Sequence, residues 1–511
     1  MKLLQNTMFF DRKYISAGST RWGYDPSLLT EKGRKEIDTS INQWGLDITI
    51  GQHYNIGTMK PFGIHFQVEK PIVAENVLIP DKPWEHHLNY ANTLYDRQVQ
   101  KFKLWYSVHR NDDVTLTHTD GSQFDQKWLT CYAESDDGIH WIKPAFSYIL
   151  CNGKPTNILN IEIDSGTVFI DPNPTDGLRY KASSIGVDWS EDIPDGEHVW
   201  FNLLGSKDGL EWKLLDTPRL YGFFDTQNVI AYDELLKKYV IYFRNANCGR
   251  AISRSEMASL EQIPEPTPLM HPTCQDPLDT DYYTNGFTVH PYYPEMRLFF
   301  SSMFHHTADY LDIRLGVSSD GRVFEWVTQE PIIGNTDSNG NRFNSVYAYP
   351  NLLPLKDNVG LMFVRKADGH DCGTETTYGT INETKYNMAL WNKDRLVGVA
   401  AEETGEFFTD LNALGGKLQI NYKTFGPKGF VKLEIQKKNR PVDGYDLDSC
   451  KFLTGDGNWE DCTWGDKQLL EGLSGNGYNI RIHLENAIVY GIRVLGNDDT
   501  EIDNSIKHNV L

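Results

Sequence analysis

Phe223-Phe224-Asp225-Thr226-Gln227-Asn228-Val229-Ile230-Ala231-Tyr232-Asp233, followed after a short turn by Lys238-Tyr239-Val240-Ile241-Tyr242-Phe243-Arg244, is the stretch that decides the fold. It reads as two antiparallel strands. The first has a polar start (Asp225, Gln227, Asn228) and then turns apolar, and the second is aromatic and β-branched throughout. Equivalent second strands are Phe102–Val108, Arg179–Ser183, Arg297–Ser301 and Gly360–Val364. After one longer first interval they recur about every 60 residues, somewhat above the blade periods of about 40–50 usual for propellers. Five repeats of a four-stranded antiparallel unit predict an all-β fold, a five-bladed β-propeller.

A second motif marks the repeats. Ser135-Asp136-Asp137-Gly138-Ile139-His140-Trp141 and Ser206-Lys207-Asp208-Gly209-Leu210-Glu211-Trp212 share one pattern, and Ser319-Asp320-Gly321-Arg322-Val323-Phe324-Glu325-Trp326 is a longer variant. Asp-Gly supplies a tight hairpin turn between outer strands, with the Trp packed beneath, so this motif is expected to be structural. Beyond residue 400 the pattern changes to period-two strands: Lys417–Tyr422, Phe430–Gln436, Tyr478–Leu484 and Val489–Leu495. Such strands suit a C-terminal β-sandwich. The expected organisation is an N-terminal segment 1–70 whose strands pack on one of the two domains, a catalytic propeller 71–400 and a β-sandwich 401–511. Within the N-terminal segment, Met8–Ile15 and Ile64–Glu69 read as strands and Ser27–Ile41 as a short helix.

The totals exclude several classes. The chain has 511 residues, too many for one compact domain, and a formal net charge of −21 that argues against a nucleic-acid surface. It has no uninterrupted apolar stretch long enough to span a membrane, and its N-terminus lacks a signal-peptide core. The seven cysteines are scattered and form no CxxC pair, which favours a reducing cytoplasm and predicts no disulfide framework. No P-loop, dinucleotide fingerprint or nucleophile elbow is found in a strand-to-helix context. The expected partner is a small carbohydrate, and a homo-oligomer is compatible with the sequence.

The first strand of each blade lines the channel, so acids at the strand starts are the candidates for chemistry: Glu85, Asp164, Asp225 and Asp281. Carboxylates gathered in a cleft push one another's pKa values apart, which is the division of labour that glycoside hydrolysis uses. Any one of them taken alone is as readily a turn or cap residue. His87, Asn92, Gln227, Asn228, Arg244, Tyr282, His290 and Tyr347 are the expected substrate contacts. Histidines hydrogen-bond hydroxyls, aromatic rings stack on sugar faces, and Arg244 orients a carboxylate or an anion. No histidine pair stands at zinc-ligand spacing with a third ligand in view, so neither metal nor cofactor is expected.

The order Pro83-Trp84-Glu85, Lys103-Leu104-Trp105-Tyr106-Ser107-Val108, the Ser-Asp-Asp-Gly motif, the opening stretch and Asp279-Thr280-Asp281-Tyr282-Tyr283-Thr284-Asn285 resembles the five-bladed propeller glycosidases related to glycoside hydrolase families 32 and 43. The run from Asp394 onward resembles the β-sandwich that follows the propeller in many unassigned members. The resemblance covers most of the chain from about residue 70. It implies a base or nucleophile in blade one, an aspartate stabiliser in blade two and an acid in blade three. Here the blade-one Asn-Asp-Pro-Asn pattern is absent: Asn89-Tyr90-Ala91-Asn92 stands near its place with Glu85 upstream, and Asp225 stands where a glutamate is usual. The expected activity is hydrolysis of a small glycoside, such as a terminal fructo- or arabinofuranoside. The alternatives are a glycan phosphorylase drawing on Arg244, Arg365 and His370, or a sugar-binding propeller without catalysis.

Overall fold

The computed structural model describes residues 2–16, 61–163, 165–188, 190, 193–194, 197–222, 224–246, 249–367, 384–437, 440–474 and 477–496. The chain divides into two compact units: Lys70–Lys393, and Met1–Glu69 together with Asp394–Leu511. The fold is all-β, a five-bladed propeller in the first unit and a β-sandwich in the second. The helix expected over Ser27–Ile41 lies outside the described residues. Among the described residues no helix is long and apolar enough to cross a membrane.

Each aromatic repeat strand is the second strand of one antiparallel sheet. Blade one is Glu85–Asp96, Lys101–Arg110 and Trp128–Ser135, extended at its edge by a bridge from Ile142 to Glu134. Blade two runs Val168–Ile170, Tyr180–Val187, Val199–Ser206, Trp212–Leu214, and blade three runs Val229–Asp233, Lys238–Asn245, Ala251–Met257, Thr267–Met270. In blade four, Thr280–Tyr282 and Phe287–Val289 share the edge of Arg297–His305, followed by Tyr310–Ser318 and Glu325–Trp326. The longer first interval of the sequence is an extra three-stranded sheet, Leu116–His118, Phe146–Cys151 and Lys154–Thr156.

Blade five closes the ring. Its inner strands Ser345–Ala348 and Leu353–Pro354 pair with Asn358–Lys366, which pairs with Tyr386–Asn392. The outermost strand is Ile72–Leu78, which precedes blade one in the chain, with Leu78 opposite Tyr386 and Ile72 opposite Leu390. Both ends of the propeller segment therefore hydrogen-bond in one sheet.

Carboxylates at the far ends of the inner strands tie neighbouring blades. Asp96 accepts both arms of Arg179 at 2.5 Å each and also the Tyr180 hydroxyl. Asp171 accepts Tyr239 Oη at 2.8 Å, and Asp233 accepts Arg297 Nε and Nη2 at 2.6 and 2.7 Å. The Ser-x-Asp-Gly turns are closed alike: Ser135 Oγ accepts the Gly138 amide and Asp137 Oδ1 accepts the amides of Ile139 and His140. The same bonds recur at Ser206–Asp208–Gly209 and Ser318–Asp320–Gly321. The glycine is needed because φ is +78° at Gly138.

The second unit is one continuous antiparallel sheet folded over a single core that includes Phe407, Ile420, Leu433, Ile482 and Val489. Its spine is Tyr478–Gly496, which the sequence pattern divides into two strands. The first half pairs with Phe430–Lys437 and the end of Val397–Leu411; the second half pairs with Gly416–Thr424 and Lys2–Met8. Positive φ at Asn486 and a register shift between Ala401 and Thr404 let the long strands bend from one layer into the other without breaking. The N-terminal strand is Lys2–Met8 rather than Met8–Ile15, because Asp11 accepts the Lys13 amide at 2.8 Å and turns the chain into a short 3₁₀ segment, Arg12–Tyr14. Cys131, Cys151, Cys274, Cys450 and Cys462 are free.

Burial alone would raise the Asp96 carboxyl, but hydrogen bonds from Arg179, Tyr180 and the Gln98 amide outweigh it and hold it at about 2, below its ordinary 3.8. A depressed carboxylate stabilises the fold fully above its ordinary value, and that contribution is lost as pH falls towards about 2. Asp96→Asn should therefore cost on the order of 3 kcal/mol at neutral pH, by leaving Arg179 unpaired. The gap between variant and wild-type stability in urea should then narrow as the pH is lowered from neutral into the acid range.

Candidate active site

Five inner strands running in one direction give the channel two distinct ends. Side chains bridge the inner strands and the loops leading into them. Tyr90 Oη lies 3.0 Å from Thr226 Oγ1, Gln227 Nε2 donates to Ala91 O at 3.4 Å, and Asn351 Nδ2 donates to Val168 O at 3.1 Å. The end where the strands finish holds a cavity of about 280 Å³ lined by Tyr95, Phe169, Tyr232, Val289 and Leu353 among others, with one residue or more from every blade.

The end where the strands begin holds the chemistry-bearing groups. Asp225 sits on the loop before Val229–Asp233, its carboxylate 47% exposed, and accepts Arg244 Nη1 at 2.9 Å. The loop is pinned by Asn228. Its Nδ2 donates to Thr226 O at 2.7 Å and Phe224 O at 3.1 Å, and its Oδ1 accepts the Arg244 amide at 3.2 Å. Arg244 also donates to Tyr283 O from Nε and Nη2 and lies 4.4 Å from the centre of the Tyr283 ring. Arg250 also stands by this ring, 5.4 Å from its centre, and donates from Nη1 to Asp281 Oδ2 at 2.9 Å. His306 Nε2 lies 2.9 Å from the same oxygen. Asp225, Arg244, Tyr283, Arg250 and Asp281 thus form one contact chain between blades three and four.

The aromatic wall continues to blade five. Tyr347 lies 5.9 Å from Tyr283, and Lys366 lies 5.2 Å from Tyr347 while donating to Asn89 Oδ1 at 2.9 Å. Burial raises the Tyr283 hydroxyl pKa, partly offset by Arg244. His87 is pushed down to about 3 by burial first, then by the charge of Lys366 and its histidine neighbours.

The remaining candidates fall elsewhere. Glu85 is buried and fully engaged: Lys143 Nζ at 2.6 Å, the Asp81 and Lys82 amides at 2.9 and 3.1 Å, and Tyr106 Oη at 2.7 Å. It anchors the start of blade one, where catalysis was expected. Asp164 lies outside the described residues, as does His370. Asn92, Gln227 and Asn228 are buried, and the amides of Gln227 and Asn228 bond backbone carbonyls, so they brace the channel wall. Tyr282 points the opposite way from Asp281, its hydroxyl donating to Asp276 Oδ2 and accepting Trp326 Nε1. His290 is buried at the strand-finish end, where Nδ1 accepts the Tyr292 amide at 3.3 Å and burial lowers its pKa to about 3. Arg365 Nε donates to Gly334 O at 3.1 Å, and its Nη1 is 3.7 Å from Glu75. The sequence pattern did not single out Arg250 or Lys366, and it offers Tyr283 only as a neighbour of Asp281 and His306 only as one of several histidines near strand ends. The expectation that no third ligand joins a histidine pair is corrected: one ring nitrogen from each of His86, His87 and His109 lies within 4.8 Å of the other two.

No known family's sequence pattern matches the chain, and no curated protein matches it. Among solved structures, a glycoside hydrolase is similar at 11% identity and a TM-score of 0.43, covering 71% of this chain and 95% of its own. A β-1,2-mannobiose phosphorylase from Listeria innocua is similar at 13% identity and 0.42, covering 66% and 98%. A fructofuranosidase from Schwanniomyces occidentalis is similar at 10% identity and 0.38, covering 83% and 99%.

Gly249 has φ +85°, and a Cβ there would stand 2.4 Å from Asp281 Oδ1. Gly340, with φ +83°, has nothing within 4 Å of the same position. Gly340→Ala should cost only the left-handed backbone strain of about 1–2 kcal/mol. Gly249→Ala should cost more in urea unfolding, because it also displaces the Asp281 carboxylate from Arg250 and His306.

Proposed function

We propose that the chain is a carbohydrate-active enzyme, a glycoside hydrolase working at the strand-start end of the channel with Asp225 and Asp281 as its acid–base pair. One observation carries the reading. Two carboxylates from successive blades stand at the same channel end, each fixed by an arginine and joined through Tyr283. Hydrolysis needs one carboxyl to protonate the leaving oxygen as the glycosidic C–O bond breaks, and a second to take a proton from the attacking water. Asp225 is half exposed and reachable by substrate, while Asp281 is held by Arg250 and His306. Tyr283 and Tyr347 supply the aromatic wall suited to a sugar ring. A small glycoside is the substrate class, a terminal furanoside such as a fructo- or arabinofuranoside among them, and the proposed compartment is the cytoplasm.

A second reading, a glycan phosphorylase, draws on the cations at the same end: Arg244, Arg250, His306 and Lys366 could receive a phosphate as the attacking group in place of water.

Turnover of a panel of nitrophenyl glycosides, with and without added phosphate, separates the two. Hydrolysis proceeds without phosphate, whereas a phosphorylase is silent until it is added. Asp225→Asn and Asp281→Asn should each lower kcat by about 10²–10⁴-fold. Melting temperature should change little for Asp225→Asn, whose carboxylate is half exposed, and should fall for Asp281→Asn, whose carboxylate is buried against Arg250 and His306, so kcat is compared per folded molecule. Folded variants with wild-type turnover would remove both residues from the chemistry.

A further inference from the structure

Neighbouring residues on a strand ordinarily point to opposite faces. At the start of blade one this alternation is broken. The pairing of Glu85–Asp96 with Lys101–Arg110 slips between Glu85, opposite Arg110, and His87, opposite His109, so His86 is an extra residue with no cross-strand partner of its own. Such a bulge lets two consecutive side chains turn to the same side. His87 and His109, directly opposed across the strands, have rings 5.1 Å apart and only 5° from parallel. His86 joins them from the bulge, its ring 5.3 Å from that of His87 and 5.9 Å from that of His109.

The donor atoms face inward. His86 Nδ1 and His87 Nδ1 are 3.3 Å apart, and one nitrogen of each of the three rings falls within 4.8 Å of the others. Two imidazole nitrogens bound to one tetrahedral zinc at about 2.0–2.1 Å stand about 3.3–3.4 Å apart. The His86–His87 spacing already has that value, and His109 has only to close in. His109 Nδ1 is buried, with no side-chain hydrogen-bond partner among the described residues. Trp128, opposite His109 in the next strand, stands edge-on to both His109 and His87 at 5.1 and 6.0 Å and walls one side. His86 is only half-buried, so the cluster is open to solvent there. The charged groups around it are Lys366 beside His87, and Asp112 and Lys127 beside His109. Lys366 is turned to Asn89 Oδ1.

We infer that His86, His87 and His109 form a binding site for one divalent d-block cation, Zn²⁺ before others, with a coordination position left to water or an incoming anion. Three imidazoles select Zn²⁺, Ni²⁺ or Cu²⁺ and give no hold on Mg²⁺ or Ca²⁺, which require oxygen donors. The site lies at the start of blade one, shares no residue with Asp225 or Asp281, and its existence does not depend on the hydrolase reading.

The test is calorimetric titration of ZnCl₂ into the full chain after removal of metal by chelator and dialysis. One Zn²⁺ per chain is expected, with MgCl₂ giving no heat of binding. Even the loss of an outer partner of a metal ligand costs about 10–100-fold in affinity, so His109→Gln and His86→Gln should each weaken Zn²⁺ binding by at least about 100-fold. His140→Gln, on an exposed side chain elsewhere, should leave it unchanged. Co²⁺ should give the visible bands of a nitrogen-bound tetrahedral ion and quench the neighbouring Trp128, and both signals should vanish in the two variants. Should His109→Gln fail to fold by circular dichroism, the half-buried His86→Gln decides. A wild type that takes up no Zn²⁺, or a folded His86→Gln that binds it as tightly as wild type, overturns the proposal.

Discussion

The propeller depends on one closure: its last blade is completed by a strand that precedes its first blade in the chain. Ile72–Leu78 supplies it by pairing with Tyr386–Asn392. Without it, blade five would lose its outermost strand and nothing in the sheets would tie the last blade to the chain that enters the first. The buried carboxylate ties Asp96–Arg179, Asp171–Tyr239 and Asp233–Arg297 act on the same geometry from within, each linking the finish of one inner strand to the next blade. Once the ring is fixed, the strand starts converge on one end of the channel and the strand finishes on the other.

This divides the acidic residues by position. Carboxylates at strand finishes are bound to arginine or tyrosine inside the wall and hold blades together. At the strand starts, Asp225 and Asp281 accept Arg244 and Arg250, which both lie against the Tyr283 ring. Glu85, also at a strand start, is built into the wall instead: Lys143 and two amides take up Oε2, and Tyr106 donates to Oε1.

Much of this was legible in the sequence. The second strands of the blades are buried on both faces, so they appear as unbroken aromatic and β-branched runs, and their spacing counts the blades. The recurrence of an acid before the first strand pointed to Asp225 and Asp281 for the same reason. The borrowed strand was not legible, because Ile-Val-Ala-Glu-Asn-Val-Leu has the mixed pattern of any edge strand and nothing local names its distant partner. The sequence offers Tyr282 as a stacking ring and Tyr283 only as its neighbour, because strand phase at a two-to-three-residue element cannot be read from composition. The histidine cluster was hidden twice over: a bulge undoes the alternation that would separate His86 from His87, and His109 joins them only through cross-strand register. Tyr478–Gly496 reads as two strands because its inward face changes at the bend, while its hydrogen bonds run on.

The central claim is that the strand-start end of the channel is a sugar site built on Asp225 and Asp281. A crystal structure of the Asp225→Asn variant, soaked with whichever nitrophenyl glycoside the wild type turns over, tests it most directly. The account predicts a sugar ring against Tyr283 or Tyr347, with its glycosidic oxygen within hydrogen-bonding distance of residue 225 or Asp281. A glycoside seated instead in the cavity at the strand-finish end, or one that leaves both positions untouched, would contradict it.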